Sequence, residues 1–418
     1  MFVTGPNLET FLADARRWLD LRLPLRKESA GHIEVGDPFS TAVFHSLTFA
    51  EEAALLGELR AWNQQRATRG YHAVSWPVED GGLGLDREYG RAFARLEAEY
   101  ETPRRHELFN VTTQLIAPTV RELGDSRQRE RFVGPLLRTE IYCCQLFSEP
   151  SAGSDLAALG CRARRDGDDW IITGQKVWSS GAQFAEWGEL IARTDPDVPK
   201  HRGLTAFLVP MDLPGIVVRP IQQMTGGSSF NEVFFTDVRV PDRLRLGPVG
   251  TGWQVALTTL GFERDHSVAG SGTRAGGSWA HVIATAQALD RTTDPVDRQA
   301  LMKLYIQLRV EGLVNRRAAD LGTSGAPPGP ESSLGKLLWT EGMRKMSDTI
   351  SGLVGPALIA DSGRWATYEW SEHVLGAPGY RIAGGSDEVQ RTIIGERVLG
   401  LPQEPRIDKD VPWNTTTR

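Results

Sequence analysis

Apolar residues recur at helical spacing through the first third of the chain. In the segment 8–20 one face is apolar and consists of Phe11, Leu12, Ala15, Trp18 and Leu19. A second segment with helical spacing spans 44–70, and a third begins after the Pro- and Gly-rich loop 76–86. Because apolar residues at this period bury one stripe of a helix, the pattern predicts a mostly helical region up to residue 140.

The pattern changes near Ile141 to short runs rich in β-branched and aromatic residues. Turn-forming stretches such as "DGDD" and "DLPG" separate these runs. Seven strand candidates result: "IYCCQLFSEP", "GCRARRDG", "DWIITGQKVWSS", "ELIARTD", "LTAFLVPM", "GIVVRPIQQM" and "FNEVFFTDVRVP". They predict an all-β segment of roughly 110 residues, from 141 to 250.

Helical spacing returns after residue 250, in two long periodic segments that begin near Leu301 and Ser332. A Pro/Gly/Ser loop, 324–333, separates them. The chain therefore reads as a helical domain (1–140), a β domain (141–250) and a helical bundle (251–418), without an internal repeat.

Composition and charge exclude several classes of protein. The 418 residues are 40% hydrophobic and 24% charged, with a net charge of −6 and no basic tract, which argues against a nucleic-acid groove. The three cysteines form neither a disulfide framework nor a zinc motif, so we expect a reducing cytoplasm. The N-terminus resembles no signal peptide, and no apolar run has the length of a membrane span.

Two short motifs suggest ligand chemistry but carry little weight. "GSGTRA", 270–275, matches a dinucleotide-binding pattern, with Asp290 downstream, but the charged "GFERDHS" precedes it where a buried strand is needed. Eight histidines are scattered without an H-E-x-x-H motif. Glu263 and His266 could share a helix face, but two ligands make a poor metal site, so we expect no metal.

Two other stretches offer groups suited to a flat, phosphorylated cofactor. In "SEPSAGSD", Ser148 and Ser154 are small donors, and Gly153 allows close approach of the backbone to a ligand. In "VWSSG", Trp178 can cover an aromatic ring system, and Ser180 lies two residues on, on the same strand face. The alternatives are an ordinary polar turn and a core tryptophan beside an edge serine.

The C-terminal stretch 380–402, "YRIAGGSDEVQRTIIGERVLGLP", completes a pattern with "LFSEPSAGSDLAAL" and "GQKVWSSGAQFAEWGELIART". Together these stretches resemble the signatures of the FAD-dependent acyl-CoA dehydrogenases, in the family's order and across nearly the whole chain. The resemblance implies an α+β multidomain fold: an N-terminal all-α domain, a middle β-sandwich or barrel, and a C-terminal four-helix bundle.

The resemblance also implies a set of FAD-binding residues. Ser148 and Ser180 would hydrogen-bond the flavin ring, Trp178 would pack on it, and Ser154 would meet the pyrophosphate. The full set implied is Gln145, Phe147, Ser148, Gly153, Ser154, Trp178, Ser180, Ser386 and Glu388.

The catalytic base is the main departure. Many relatives carry a glutamate just before the glycine of "G[TS]xxxQR", where this chain has Gly384. The isovaleryl and long-chain branches carry it instead in an "E-R" pair, which Glu263 and Arg264 match. The resemblance thus implies Glu263 as base, with the Gly384 N–H polarising the thioester carbonyl. On spacing alone, Glu263 shares a helix face with Ala256, Leu260 and Ser267, and an acid near a helix start is the alternative interpretation.

The family's "R-x-x-F-G" contact to FAD of a neighbouring subunit is absent, and Arg291 or Arg298 could replace its charge. A solvated helix start is the alternative for both arginines. Some bacterial relatives with bulky substrates share this departure, and some are heterotetramers. The expected partners are an acyl-CoA and an electron-transferring flavoprotein, in a homotetramer, a dimer of dimers or a heterotetramer. The competing functions are a flavin oxidase or monooxygenase and a non-enzymatic partner subunit.

Overall fold

The computed structural model describes residues 6–26, 41–263, 276–321, 329–330, 332–364, 367–406 and 408–415. The predicted order of helices, then strands, then helices is confirmed. The "GSGTRA" motif, Arg264 and His266 lie outside the described residues. The helices are α1 Leu8–Asp20, α2 Phe49–Ala67, α3 Arg87–Glu97, α4 Glu107–Asn110, α5 Ala117–Leu123, α6 Ser126–Leu137, α7 Gly252–Glu263, α8 Trp279–Ala288, α9 Pro295–Leu321, α10 Ser332–Val354, α11 Trp370–Tyr380 and α12 Asp387–Ile393.

The N-terminal helices begin where the sequence supplies caps. Thr48 and Glu51 form a capping box at the start of α2, and Asp125 and Gln128 form another at α6. The predicted apolar face of α1 is buried except for Leu12, which is partly exposed. A π-helical turn, Val111–Ile116, joins α4 to α5 and packs against the sheet.

All seven strand candidates are confirmed. The strands are β1 Cys143–Leu146, β2 Arg162–Asp166, β3 Asp169–Ser180, β4 Trp187–Arg193, β5 Leu204–Pro210, β6 Ile216–Ile221, β7 Phe230–Pro241 and β8 Arg245–Leu246. They form one sheet in the order β6-β7-β3-β2-β4-β5-β8, and β1 pairs in parallel with β4. A single residue pair, Arg162 with Arg193, joins β2 to β4.

Four C-terminal helices share one hydrophobic core, as the predicted four-helix bundle requires. Val282 of α8, Leu304 of α9, Ile350 of α10 and Trp370 of α11 are all buried in it. Inside this core Trp370 Nε1 donates to Thr285 Oγ1 at 2.8 Å, so the indole is paired as well as packed. Among the described residues, no helix has both the length and the hydropathy needed to cross a membrane.

Candidate active site

A buried ion pair brings the first two cofactor motifs together. Lys176 on β3 is fully buried, and its Nζ donates to Glu149 Oε1 at 2.8 Å and to the Phe147 carbonyl oxygen at 2.9 Å. The Val177 N–H also donates to the Ser148 carbonyl oxygen at 2.9 Å. The "SEP" loop after β1 is therefore fixed beside the "VWSS" segment of β3. Sequence analysis missed both charged residues, which are the main link between the motifs.

Trp178 lies where β3 bulges out of regular pairing. The register with β7 shifts between Lys176 and Ser179, and Trp178 has φ 63°, a left-handed conformation rare for a bulky residue. Its side chain is 58% exposed. The Ser179 hydroxyl is buried without a partner among the described residues. A strained, exposed indole beside an unpaired hydroxyl is typical of a ligand site.

The predicted pyrophosphate turn is open to solvent in this chain. Gly153 and Ser154 are both exposed, and no described residue lies within 4 Å of the position of a Cβ added to Gly153. The turn is held from below, because the Glu149 carboxylate accepts from the N–H groups of Gly160 and Cys161, at 2.6 and 2.8 Å. The loop is thus anchored through Glu149, while the outer side of the turn at Gly153 and Ser154 remains exposed.

The C-terminal motif forms a glycine turn followed by a capped helix. Gly384 and Gly385 have φ 65° and 83°, and Ser386 caps α12 by accepting from the Val389 N–H. Gln390 Nε2 donates to the carbonyl oxygens of both glycines, at 3.1 and 3.2 Å. None of the described residues accepts a hydrogen bond from the Gly384 N–H. This N–H is therefore available to a ligand.

Asp387 anchors this turn to the bundle and was also missed from sequence. It is buried, its Oδ1 accepts from Thr340 Oγ1 at 2.7 Å, and its Oδ2 accepts from Arg381 at 2.8 Å. Lys336 Nζ donates to the Gly385 carbonyl oxygen at 2.9 Å and lies 3.7 Å from Asp387. Glu388, by contrast, is exposed.

Glu263 is the last residue of α7, and its side chain lies outside the described part of the chain. The helix that carries it is anchored by a buried polar contact. Thr259 Oγ1, one turn before Glu263, donates to Glu189 Oε1 on β4 at 2.8 Å and lies 3.0 Å from Thr119 Oγ1. Burial raises the pKa of Glu189 to about 8, although the Thr259 hydrogen bond opposes the shift. Glu189 pairs in register with Gln145 of β1.

Of the two candidate arginines, Arg298 lies in the first turn of α9 and Arg291 lies in the loop before it. Arg291 forms a double hydrogen bond with Asp297, and Arg298 donates to the Thr292 carbonyl oxygen at 3.2 Å. These contacts are local and involve neither β1 nor β3. The structure of the single chain thus does not bring Arg291 or Arg298 together with the flavin motifs.

A cluster of two histidines and a glutamate lies near the C-terminal end of β3, and the sequence did not predict it. His106 Nε2 lies 2.8 Å from Glu52 Oε1 and 3.2 Å from His45 Nε2. Gln183, just after the "VWSSG" motif, donates to Glu52 Oε2 at 2.9 Å. His106 is 54 residues from Glu52 and 61 from His45 in the sequence, so spacing along the chain does not reveal the cluster.

Comparison with known proteins identifies the fold. Residues 144–238 match the acyl-CoA dehydrogenase middle domain, and residues 250–399 match the acyl-CoA dehydrogenase C-terminal domain. The acyl-CoA dehydrogenase IpdE1 of Mycobacterium tuberculosis (strain ATCC 25618 / H37Rv) is 37% identical over 407 residues, which are 96% of this chain and 99% of that relative.

Two solved structures share the fold. The Tcur3481-Tcur3483 steroid ACAD has a TM-score of 0.74 and 25% identity, over 97% of this chain and 100% of its own. The ChsE4-ChsE5 complex from Mycobacterium tuberculosis has a TM-score of 0.70 and 24% identity, again over 97% and 100%.

The chain belongs to the acyl-CoA dehydrogenase family, so the resemblance seen in the sequence is confirmed. It is an oxidoreductase of acyl-CoA thioesters, and the cofactor of the family is FAD. The site fits a flavin dinucleotide, because it offers the exposed Trp178 indole, the unpaired Ser179 hydroxyl and the open turn at Gly153.

Proposed function

We propose that this chain catalyses α,β-dehydrogenation of an acyl-CoA with Glu263 as the base. The supporting observation is the pair of residues found at two positions, a glycine at 384 and a glutamate at 263. Gly384 has no side chain in the slot where many relatives carry the base, and Glu263, the last residue of α7, matches the position where the isovaleryl and long-chain branches carry it. When bound, FAD accepts hydride from the β carbon of the substrate at N5.

The protein groups have separate roles in the proposed reaction. The Glu263 carboxylate takes the α proton, and the Gly384 N–H donates to the thioester carbonyl oxygen, where negative charge develops. Trp178 covers the ring, Ser148 and Ser180 hydrogen-bond it, and Gln145 and Phe147 line it. Gly153 and Ser154 meet the pyrophosphate, with Ser386 and Glu388 as further contacts. Arg291 and Arg298 are assigned to the FAD of a neighbouring subunit, because their side-chain hydrogen bonds among the described residues lie within 291–298 and involve no flavin motif of their own chain.

We extend the proposal to the organisation of the protein. The chain has three domains, 1–140, 141–250 and 251–418, and electrons pass from it to an electron-transferring flavoprotein. It assembles as a homotetramer, a dimer of dimers or a heterotetramer. The heterotetramer gains support from the two structural relatives, whose names each pair two gene products.

The test is anaerobic titration of the purified protein with short, branched, long and steroid-derived acyl-CoAs, following the visible flavin band. We expect one substrate class to bleach the wild-type band and none to bleach it in Glu263→Gln. Glu58→Gln, an exposed glutamate on α2, is the matched control and should behave as wild type. Normal turnover in Glu263→Gln would refute the assigned base.

The paired names of the relatives also favour a second candidate, a partner subunit without its own flavin. Protein that is colourless when purified alone but restores activity on mixing with a second subunit would establish it. Rapid reoxidation of reduced flavin by air, without a carrier protein, would instead indicate an oxidase or monooxygenase.

A further inference from the structure

Two neighbouring polar side chains on β1 and β4, the partly buried Gln145 and the buried Glu189, do not use all their hydrogen-bonding atoms. Gln145 and Glu189 are register partners in this parallel pair, so their side chains lie on the same face of the sheet. Gln145 Nε2 and Glu189 Oε2 are both buried, and neither has a partner among the described residues. An unpaired buried polar atom is costly, and two adjacent ones need an explanation.

Hydrogen bonds within the protein do not satisfy both oxygens of the Glu189 carboxyl group. Its Oε1 accepts from Thr259 Oγ1 at 2.8 Å, but Thr259 is already shared with Thr119 Oγ1 and the Val255 carbonyl oxygen. No lysine or arginine contacts the group among the described residues. Burial raises the pKa of this group to about 8, which favours the protonated form at neutral pH, and a protonated carboxyl group can both donate and accept a hydrogen bond.

The pair lies near the residues proposed for both parts of the reaction, the flavin contacts and the catalytic base. Gln145 precedes Phe147 and Ser148 on β1, so it lies about 7 to 10 Å along the strand from the flavin-contact motif. Glu189 contacts Thr259, which precedes Glu263 by one helical turn, about 5 to 6 Å. The pair therefore lies on the sheet face covered by α7, the helix that ends at Glu263.

We propose that Gln145 and Glu189 recognise an oxygen atom, hydroxyl or carbonyl, on the acyl chain beyond its α and β carbons. This inference rests on the proposed dehydrogenase function and specifies its substrate class. The Gln145 amide donates to that oxygen, and the Glu189 carboxyl group donates to a carbonyl or accepts from a hydroxyl. Gln145 thus contacts the substrate through its amide, in addition to its assigned place beside the flavin ring.

A plain hydrocarbon chain would leave both polar atoms unpaired in the complex. Sites built to hydrogen-bond a substrate oxygen reject analogues that lack it, by factors that reach ~10⁴. We expect a more modest preference, about 10²-fold in kcat/KM, because Glu189 keeps its contact with Thr259 when the chain oxygen is missing.

The experiment compares saturated eight-carbon acyl-CoAs that carry a hydroxyl or keto group at successive carbons from C4 onward with octanoyl-CoA. The readout is kcat/KM for flavin reduction in wild type, Glu189→Gln, Glu189→Leu and Gln145→Leu. We expect wild type and Glu189→Gln to prefer one oxygenated position, and both leucine variants to lose that preference. Thr205→Val is the control. It removes a buried hydroxyl from β5 that is paired with Thr194, so the preference should persist.

The outcomes distinguish failure of this inference from failure of the proposed dehydrogenase function. If wild type reduces octanoyl-CoA as well as every oxygenated chain, the polar site is refuted and the dehydrogenase stands. A preference that survives unchanged in both leucine variants would also refute it. If no acyl-CoA of this panel reduces the wild-type flavin but one from the titration proposed above does, the inference fails and the dehydrogenase stands. If no acyl-CoA of either panel reduces it, both fail. In Glu189→Leu, a rise in KM with little change in kcat would further distinguish recognition from loss of structure.

Discussion

Lys176 Nζ and Glu149 Oε1 lie 2.8 Å apart in the protein interior, and this contact ties the loop after β1 to the bulged end of β3. Each partner is also hydrogen-bonded to backbone: Lys176 to the Phe147 carbonyl oxygen and Glu149 to two N–H groups. The pair therefore positions both stretches that carry the proposed flavin contacts.

Lys176→Met is expected to lower the free energy of unfolding by about 3 to 5 kcal/mol, because it leaves the Glu149 carboxylate buried without its cation. The same change should lower the ratio of FAD to protein after purification, since the loop after β1 loses its anchor. Chemical denaturation and the visible absorption spectrum measure the two effects.

Arg239→Met is the matched control for this prediction. Arg239 lies in the same sheet and bridges Asp166 and Asp169, but its side chain is 56% exposed. Solvent screens exposed ion pairs, which therefore contribute little to stability, so this variant should keep its flavin and nearly all its stability. Equal losses in the two variants would contradict the positioning role of Lys176.

Glu189 should make stability depend on pH in a defined window. Its pKa rises from 4.5 to about 8 on folding, so the folded state binds the extra proton between these values. The free energy of unfolding should therefore fall as pH rises from about 4.5 to about 8, by at most about 1.4 kcal/mol per pH unit, and level off above. Glu189→Gln removes the ionisation and should flatten this slope. Denaturation at a series of pH values tests it, and identical slopes in both proteins would refute the prediction.

The order of helices and strands was predictable because the spacing of apolar residues differs between a helix and a strand that each bury one side. The same rule explains why Glu189 was missed. Its strand, β4, is covered on both faces, and all its residues from Gly188 to Arg193 are buried. A strand covered on both sides loses the alternation that marks a polar residue as exposed or buried. The glutamate in "WGELIAR" therefore looked like an ordinary outward-facing residue.

The candidate site was predictable only where its residues are close in sequence. Ser148 and Trp178 were found because each belongs to a short motif, and the Gly384 turn was found for the same reason. The contacts of Lys176 with Glu149 and of Thr340 with Asp387 join these motifs to the fold, and they span 27 and 47 residues of sequence. Such contacts depend on register and topology, which local composition does not specify.

Gly384→Ala is expected to destabilise the protein by about 1 to 2 kcal/mol, because residue 384 has φ 65° and a side chain is strained in that conformation. Gly352→Ala should do the opposite. Gly352 is an exposed residue of α10 with nothing within 4 Å of an added Cβ, so alanine should stabilise the helix by up to about 1 kcal/mol. Thermal unfolding of both variants measures the difference. A shift of the same sign in both would show that the turn at Gly384 does not require a glycine.

The cluster of His45, Glu52 and His106 has the spacing of a metal site but the wrong protonation for one. Its three atoms lie 2.8, 3.2 and 3.4 Å apart, near the ~3.4 Å that separates tetrahedral zinc ligands. However, the Leu108 N–H donates to His106 Nδ1 at 3.1 Å, so the imidazole proton must be on Nε2, the atom that would bind the metal. Burial alone would raise the pKa of Glu52, but the hydrogen bonds from His106 and His45 outweigh it and hold that pKa below its usual value.

Zinc should therefore not stabilise this protein, because binding at His106 Nε2 would move the proton to Nδ1 and break the cap at the start of α4. We expect the midpoint of thermal unfolding to be the same with EDTA and with one equivalent of zinc, and no zinc to remain after gel filtration. Glu52→Gln should lower stability at neutral pH and converge with wild type as pH falls through the depressed pKa of Glu52, because the stability due to its ionised form is lost there. Zinc retained at one ion per chain by the wild type but not by Glu52→Gln would instead establish a metal site, with His106 in the other tautomer.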